Sequence, residues 1–311
     1  MGRCLRTNEY FTRKKIIDTL QATKSQSQTA NLLRVSFDQV HRVMHKSVER
    51  GLTRRTGNEE YYYLSIDEKA VKKGHKYISI LSDELTGIVI EVVGGRDMKS
   101  TEKLCNSLND KQREEVKTVC TDMWKPFIWG AKTFFPNAKN CHDNFHLVSY
   151  LNKAVDNVRR REVKKNAELR DTKYIFLKDK ANFTEKQRLK FEAIKNTNYE
   201  TSRAWQIKEN FRDIQFRQDR KEAFDMYHWW RQDALNANIK EITEVVEMFD
   251  RHKIGIINAI ETGANNARAE RLNGSIQEIK TRGRGYRNTE NFRIAILFFH
   301  GNLDLIPHKI L

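Results

Sequence analysis

Apolar and polar positions alternate differently in successive stretches of the chain. Residues 1 to about 57 follow the 3.6-residue period of amphipathic helices. From about 61 to 142, short apolar runs bounded by turn residues alternate with helical patterns. From about 143 to 262, aromatic residues recur at helical intervals in a densely charged background, and the remaining residues return to a mixed helical pattern. The pattern therefore predicts a mixed α/β region that is preceded and interrupted by helices.

The middle stretch predicts a sheet with carboxylates at its strand ends. Strands are expected near 61–67, 76–81, 87–93, 116–122 and 138–141, with helices near 100–108 and 123–135. The first three strands are expected to be antiparallel, since residues 82–86 are few enough for a hairpin. The resulting order, β-β-β-α-β-α-β-α, is that of an RNase H-like domain, which is the predicted fold of this region.

Two aspartates end strands that this order makes neighbours. Asp67 ends the first predicted strand and Asp122 ends the fourth. Neighbouring carboxylates repel unless a cation lies between them or one of them takes up a proton. Hard oxygen ligands of this kind suit Mg²⁺ or Mn²⁺. A single aspartate at a strand end is ordinary capping chemistry, so the hypothesis of a metal site depends on the pair.

A predicted helix late in the chain offers a third carboxylate. Its apolar face would consist of Leu272, Ile276 and Ile279, and its polar face would include Asn266, Glu270 and Asn273. A face exposed only to solvent would explain the same polar stripe. Because two bound ions usually need a third acidic ligand, Glu270 is the candidate for that ligand.

Residues 27–44 have the pattern of a helix-turn-helix. Apolar residues fall where such a motif buries them, namely at Leu33, Val35, Val40 and Val43, and Ala30 is small enough for a close helix crossing. Ser36 is the predicted N-cap of the second helix, and Gly51 its predicted end. Arg34 occupies the turn, where glycine is common. Two helices packed as a hairpin without any DNA role are the alternative.

The second helix of this motif and basic residues further along are the candidates for DNA contacts. Phe37, His41 and Arg42 would face a major groove. DNA contacts are also expected from Arg54 and Arg55, and phosphate contacts from Lys280, Arg282, Arg284 and Arg287.

Charge and composition narrow the class of partner. The formal net charge is +16 and the pI is about 9.6, which favours nucleic acid. No apolar run approaches the length of a transmembrane helix, and no signal sequence opens the chain, so a cytoplasmic protein without a membrane partner is expected. The four cysteines form no C-x-x-C pair, which argues against a zinc ribbon or a disulfide framework.

Two features of the long helical stretch need separate interpretation. Its aromatic residues are expected in a core: Trp205, Phe211, Phe216, Phe224, Tyr227, Trp229 and Trp230. At its start, Cys141, His142 and His146 match a zinc site poorly, because no partner pair of ligands accompanies them. His146 is instead expected near the active site, with Asp143 orienting it or capping the following helix.

Motifs along nearly the whole chain carry a family resemblance. They lie at residues 47–52, 65–68, 73–77, 95–96, 121–124, 143–148, 266–270, 273, 279–280 and 285–288. Together they resemble the ISL3 family of insertion-sequence transposases, which belongs to the DDE transposase group. The resemblance implies that Asp67, Asp122 and Glu270 form a catalytic, metal-binding triad. It also implies that the helical stretch between Asp122 and Glu270 is an insertion in the RNase H-like domain.

The implied function is cleavage and joining of DNA strands by phosphoryl transfer with two Mg²⁺ or Mn²⁺ ions. A homodimer or larger synaptic complex is implied, because two DNA ends must be joined. The expected domains are a helix-turn-helix domain at 1–57, the RNase H-like domain at 58–148 and 259–311, and the insertion at 149–258. Such proteins usually begin with a cysteine-rich zinc-binding segment, which this chain, with Cys4 alone, is expected to lack.

Two other functions fit the same residues. A non-catalytic DNA-binding protein derived from a transposase would act through the helix-turn-helix alone. An RNase H-like nuclease without strand transfer would use the three carboxylates but join no ends.

Overall fold

The computed structural model describes residues 2–72, 76–178, 183–195, 199–214, 219–264, 267–283, 285–286 and 288–307. Within these ranges, side chains are not described for residues 2–9, 72 and 267–270. The chain forms two compact units, Met1–Lys139 with Asn266–Leu311, and Asn140–Asn265. The mixture of one sheet and many helices confirms the mixed α/β class.

The elements follow one another in this order. The helices and strands are α1 (Gly2–Thr23), α2 (Gln26–Leu33), α3 (Phe37–Thr53), β1 (Tyr63–Lys72), β2 (Lys76–Asp83), β3 (Val89–Gly94), α4 (Met98–Cys105), α5 (Asp110–Glu115), β4 (Thr118–Thr121), α6 (Lys125–Phe134), β5 (Lys139–His142), α7 (Asn144–Glu162), α8 (Lys173–Leu177), α9 (Glu185–Ile194), α10 (Glu200–Arg212), α11 (Arg220–Asn236), α12 (Lys240–Thr262), α13 (Ala267–Arg282) and α14 (Thr289–His300). The five predicted strands are all present, and the short helix α5 adds one element to the predicted order.

The sheet has the strand order β3-β2-β1-β4-β5. β2 runs antiparallel to both β1 and β3, as the hairpin pattern predicts. β1 and β4 run parallel, and their last paired residues are Ile66 and Thr121. β1 itself continues to Lys72 alongside β2. The expectation that Asp67 ends its strand is therefore wrong. Pairing of β1 with β4 stops before Asp67, but pairing of β1 with β2 continues beyond it.

Helices of the first unit cover both faces of this sheet. On one face, strand residues such as Ile78 and Ile80 pack in a core with Ile276 of α13 and Phe292 of α14. On the other face, Leu64, Ile66 and Leu81 share a core with α4 and α6. The alternation of β1 and β2 side chains between two apolar layers explains why both strands are so rich in apolar residues.

The N-terminal helices extend the first of these cores. Val40, Met44 and Val48 of α3 are fully buried in the same apolar cluster as α14. The predicted N-cap is confirmed, since the Ser36 side chain accepts a hydrogen bond from the backbone of Gln39 at 3.1 Å. Whether these helices act as a DNA-binding domain stays a prediction.

Two details of α2 and α3 differ from a typical helix-turn-helix pattern. Arg34, in the turn, adopts the left-handed conformation that glycine usually supplies, with φ of 54° and ψ of 43°. The prediction that α3 ends at Gly51 is wrong, because the helix continues to Thr53. A Cβ on residue 51 would lie 2.6 Å from Cβ of Leu303, so Gly51 permits close packing instead of ending the helix.

The second unit is helical beyond β5, and its core is aromatic. Trp205, Phe211, Tyr227 and Trp230 are buried, as predicted. The same prediction is wrong for Phe224 and Trp229, whose exposed fractions are 43% and 67%. Helix α11 buries positions 223, 227, 230 and 234, a spacing that turns Phe224 and Trp229 outward. Phe216 lies outside the described residues.

The expected domain boundaries at 57, 148 and 258 stay predictions. None of the helices in the described part of the chain is long and apolar enough to cross a membrane.

Candidate active site

Asp67 and Asp122 occupy matching positions on adjacent parallel strands. Each follows directly after a residue of the last β1–β4 pair, Ile66 opposite Thr121. Both side chains are half-buried. One oxygen of Asp67 accepts a hydrogen bond from the backbone N–H of Glu68 at 2.7 Å, and one of Asp122 accepts from that of Trp124 at 3.0 Å. The structure thus brings together the two carboxylates that the strand pattern singled out.

Helix α13 packs beside Asp67 through a side-chain hydrogen bond. The amide of Asn273 donates to Oδ2 of Asp67 at 2.5 Å. The predicted apolar face of this helix is confirmed, since Leu272, Ile276 and Ile279 are all buried. Asn273 therefore lies on the side of α13 that approaches the carboxylate.

Glu270 lies in α13, three residues before Asn273. In an α-helix this spacing corresponds to about 4.5 Å along the axis and nearly the same face. Its side chain is outside the described residues, as is Asn266 altogether. Glu270 thus lies on the helix that contacts Asp67. This position supports the hypothesis that Glu270 is the third acidic ligand of the metal ions.

Two lysines connect the end of β1 to α13. Nζ of Lys69 donates to the backbone carbonyl of Asn273 at 3.2 Å, and Nζ of Lys280 to that of Ala70 at 2.8 Å. Burial lowers the pKa of Lys69, and Lys280 adds to this effect, whereas Asp67 opposes it. Sequence reasoning missed Lys69, although its i+2 spacing from Asp67 on a strand places both on one face.

Arg96 lies near Asp122, between two aromatic rings. Its guanidinium carbon is 4.0 Å from the centre of the Tyr77 ring and 4.7 Å from that of Trp124. It also pairs with Glu68 at 2.9 Å, a bond that raises the pKa of Arg96. Nε1 of Trp124 donates to the Arg96 carbonyl at 2.8 Å. These contacts fix the segments that follow β3 and β4 next to Asp122.

The donor atoms at this site suit a hard divalent cation. Carboxylate oxygens of Asp67 and Asp122 are the ligand type that Mg²⁺ and Mn²⁺ prefer. Within the described residues, no three His, Cys, Asp or Glu side chains form a metal-binding group. The two aspartates supply two such side chains, and the assignment of Glu270 as the third stays a prediction.

The predicted DNA-binding residues differ in their exposure and in their contacts within the protein. Phe37 and Arg42 are exposed on α3, and His41 is half-buried there. Lys280 and Arg282 both donate to backbone carbonyls, Arg282 to that of Thr23 at 3.1 Å. Arg284 and Arg287 lie outside the described residues.

Arg54 and Arg55 are engaged within the first unit. Arg54 pairs with Asp304 at 2.8 Å. Arg55 donates to the carbonyls of Ile90 at 2.6 Å, and of Val89 and Gly301 at 3.3 Å. Both guanidinium groups hold the end of α3 against the rest of the unit, so their expected DNA contacts have less support than those of Arg42.

Asp143 and His146 belong to the second unit. Asp143 caps α7 by accepting from the backbone N–H of Phe145 at 3.0 Å, which is one of its two expected roles. Nε2 of His146 lies 3.7 Å from Oδ2 of Asp143. Their supporting role in catalysis stays a prediction.

Comparisons with known proteins agree with this geometry. A family model described as a transposase, that of the ISL3 group, matches residues 64–296, which include β1, β4 and α13. The transposase for insertion sequence element IS1001 of Bordetella parapertussis is 22% identical, over 84% of this chain and 66% of its own length. The transposase for insertion sequence element IS1557 of Mycobacterium tuberculosis is 24% identical, over 79% of this chain and 62% of its own length. The chain thus spans slightly less than two thirds of these relatives. Since the family match covers most of the chain, the protein belongs to the ISL3 family of transposases.

Proposed function

We propose that this protein is the transposase of a bacterial insertion sequence, and that it cuts and joins DNA strands with Asp67, Asp122 and Glu270. The observation that carries the proposal is the pairing of Asp67 and Asp122 at the end of the β1–β4 ladder, with α13 bonded to Asp67 through Asn273. The names of its relatives support the same activity. In this proposal the sheet and its helices form an RNase H-like catalytic domain, interrupted by the helices of the second unit.

Each residue of the site has a defined task in this proposal. Asp67, Asp122 and Glu270 would hold two Mg²⁺ or Mn²⁺ ions. When bound, such ions activate the attacking hydroxyl and stabilise the leaving oxygen in an in-line displacement. Asn273 orients the Asp67 carboxylate by donating to Oδ2. Lys69 holds α13 against β1 and places a cation close to Asp67.

DNA would reach the site along the basic surface of the first unit. Phe37, His41 and Arg42 of α3 would read base edges in a major groove. Lys280 and Arg282, with Arg284 and Arg287 beyond them, would contact backbone phosphates. Because two element ends must be joined, a homodimer or larger complex would hold them together.

A strand-cleavage assay tests the proposal. Linear DNA carrying the element's own ends is incubated with Mg²⁺ and with wild-type protein, Asp67→Asn, Asp122→Asn or Glu270→Gln. Each substitution removes one negative charge but preserves the side-chain shape. We expect loss of cleavage with DNA binding retained.

Asp110→Asn is the matched control, because this aspartate lies on α5 with 87% of its side chain exposed. Cleavage that survives the substitution of Asp67 would refute the triad. Binding without cleavage by the wild-type protein would favour the non-catalytic alternative. Cleavage without joining would favour the nuclease.

A further inference from the structure

A cleft between α1 and α3 concentrates positive charge. Its volume is about 210 Å³, and its lining includes Arg13 of α1 and Arg42, Lys46 and Arg50 of α3. Among the described residues that line it, none carries a carboxylate. Four cationic side chains on one concave surface produce a positive potential that attracts anions.

The spacing of these residues places the charge on one flank of α3. Arg42, Lys46 and Arg50 follow each other at intervals of four, where like charges destabilise a helix. Arg50 is half-buried, and it donates to the carbonyl of Leu305 at 2.5 Å. Burial lowers its pKa, and the cations of Arg54 and Arg13 add to that effect, whereas Asp304 opposes it. The neighbourhood of Arg50 is therefore strongly cationic.

The other flank of α3 has a different chemistry. The Phe37 and His41 rings are stacked with centroids 6.0 Å apart, and His45 follows His41 at 4.4 Å. Nδ1 of His41 is 3.1 Å from Oε1 of Gln26 on α2. The exposed side of α3 thus has an aromatic flank next to α2 and a cationic flank next to α1. A DNA groove offers the same division, since base edges form its floor and phosphates its walls.

We propose that the α1–α3 cleft binds a backbone phosphate of DNA, held by Arg13 and Lys46. This inference rests on the proposed DNA-binding role of α3 and extends it to α1, which contains none of the DNA-contacting residues expected from the sequence. Arg50 also lines the cleft and adds to its positive potential. The shared chemistry is a phosphate group, which could also come from a small soluble anion such as pyrophosphate.

The salt dependence of DNA binding tests the proposal without any knowledge of the element's ends. The logarithm of the affinity for a duplex falls linearly with the logarithm of salt concentration, with a slope of about −0.9 for each phosphate neutralised. Affinity for a random-sequence duplex is measured between about 50 and 200 mM salt without Mg²⁺. The variants are Arg13→Gln, Lys46→Gln and the double variant.

We expect the slope of the double variant to be shallower by about one, with weaker binding at every salt concentration. Lys14→Gln is the matched control, because Lys14 is the next residue on α1, is exposed and pairs with Asp18 at 3.5 Å. Its slope should stay close to that of the wild type. Circular dichroism at the assay temperature verifies that each variant is folded.

Several outcomes would overturn the proposal. An unchanged slope in the folded double variant would refute the phosphate contact. An equal change in Lys14→Gln would attribute the effect to diffuse surface charge. Calorimetry with inorganic pyrophosphate forms the second arm. If the double variant loses pyrophosphate binding but keeps its DNA slope, the cleft binds small anions and not the DNA backbone.

Failure of this proposal is distinguishable from failure of the proposed catalysis. The slope is measured without Mg²⁺ and with Asp67, Asp122 and Glu270 intact. Cleavage that depends on Asp67 together with an unchanged slope would refute the cleft alone. A shallower slope in a protein that never cleaves DNA would support the cleft and refute the catalytic triad.

Discussion

Asn273 and Asp67, which are 206 residues apart in the sequence, are joined by a hydrogen bond of 2.5 Å from the amide to Oδ2. The bond connects α13 to the point where the parallel pairing of β1 and β4 stops. It also brings the first turns of α13, where Glu270 lies, to the strand that carries Asp67. A polar contact thus joins the helix to the site, while the apolar face of the same helix anchors it in the core.

Replacement of Asn273 by alanine should slow metal-dependent cleavage. The substitution removes the donor that orients Asp67, and loss of a group that orients a metal ligand typically costs about 10- to 100-fold in activity or metal affinity. Cleavage rates across a Mg²⁺ titration measure the effect. Gln277→Ala is the control, because Gln277 is exposed one turn further along α13. Equal losses in both variants, with lowered thermal stability, would indicate that α13 is merely destabilised.

Arg55→Ala should destabilise the protein. The guanidinium of Arg55 donates to carbonyls of Val89, Ile90 and Gly301, and hydrogen bonds from a charged group contribute about 1.5–3 kcal/mol. Urea unfolding should show this loss in the free energy of unfolding. Lys111→Ala, with 74% of the Lys111 side chain exposed, should change stability by less than about 0.5 kcal/mol.

The same Arg55 variant tests the expected DNA contact. A shallower salt slope for duplex binding without any loss of stability would show that Arg55 binds phosphate and that its internal bonds are weak.

Arg34→Gly should stabilise the protein by about 1 kcal/mol. Arg34 is exposed and has φ of 54°, a conformation that costs side-chain-bearing residues roughly 1–2 kcal/mol and glycine very little. The midpoint of thermal unfolding measures the gain. Gly87→Ala is the converse control, since Gly87 has φ of +76° and open space around a Cβ. It should lose a similar amount, and a gain from it would contradict the backbone explanation.

Stability should fall as the pH drops below the ordinary pKa of histidine, roughly 6.5. Burial lowers the pKa of His300, Lys24 adds to this effect and Glu278 opposes it, while Nε2 of His300 lies 3.0 Å from Oγ of Ser275. The folded state therefore binds this proton less readily than the unfolded state does. Acid consequently favours unfolding, and the stabilisation is lost as pH falls from about 6.5 toward the folded-state pKa.

Urea unfolding measures this pH dependence of stability. The range from about pH 7.5 to about 5 brackets the ordinary histidine pKa. His300→Gln should make the stability curve flatter over that range. The pKa of His41 is also lowered by burial, so part of the slope should remain. A curve of unchanged steepness in His300→Gln would exclude His300 as its source.

Local patterns were sufficient to predict many elements of the fold. The five strands, the buried face of α13 and the Ser36 cap depend on the residues within a few positions of each feature. The two aspartates were found in the same way, because each follows a predicted strand. The neighbour relation of β1 and β4 came from the order of the elements, which restricts how strands can be arranged.

Other features depend on partners far away in the sequence. Trp229 and Trp230 are adjacent and chemically alike, yet one is 67% exposed and the other is fully buried. Leu303 packs closely against Gly51 inside α3. Carbonyl groups of β3 and of the end of α14 accept hydrogen bonds from Arg55. The aromatic residues of α11 lie on more than one face of the helix, so their spacing alone did not decide which of these two neighbours meets the core.

The sequence by itself determined the paired aspartates and their acidic candidate Glu270, through strand pattern and family resemblance. Only the tertiary structure decided that β1 runs past Asp67, that Asn273 binds this carboxylate, and that Arg13 joins the cations of α3. The physical reason is the separation in sequence between the residues that interact. Helix and strand periodicity reflect interactions between near neighbours, whereas a carboxylate, its hydrogen-bond donor and a charged cleft are assembled from segments that meet only when the chain packs.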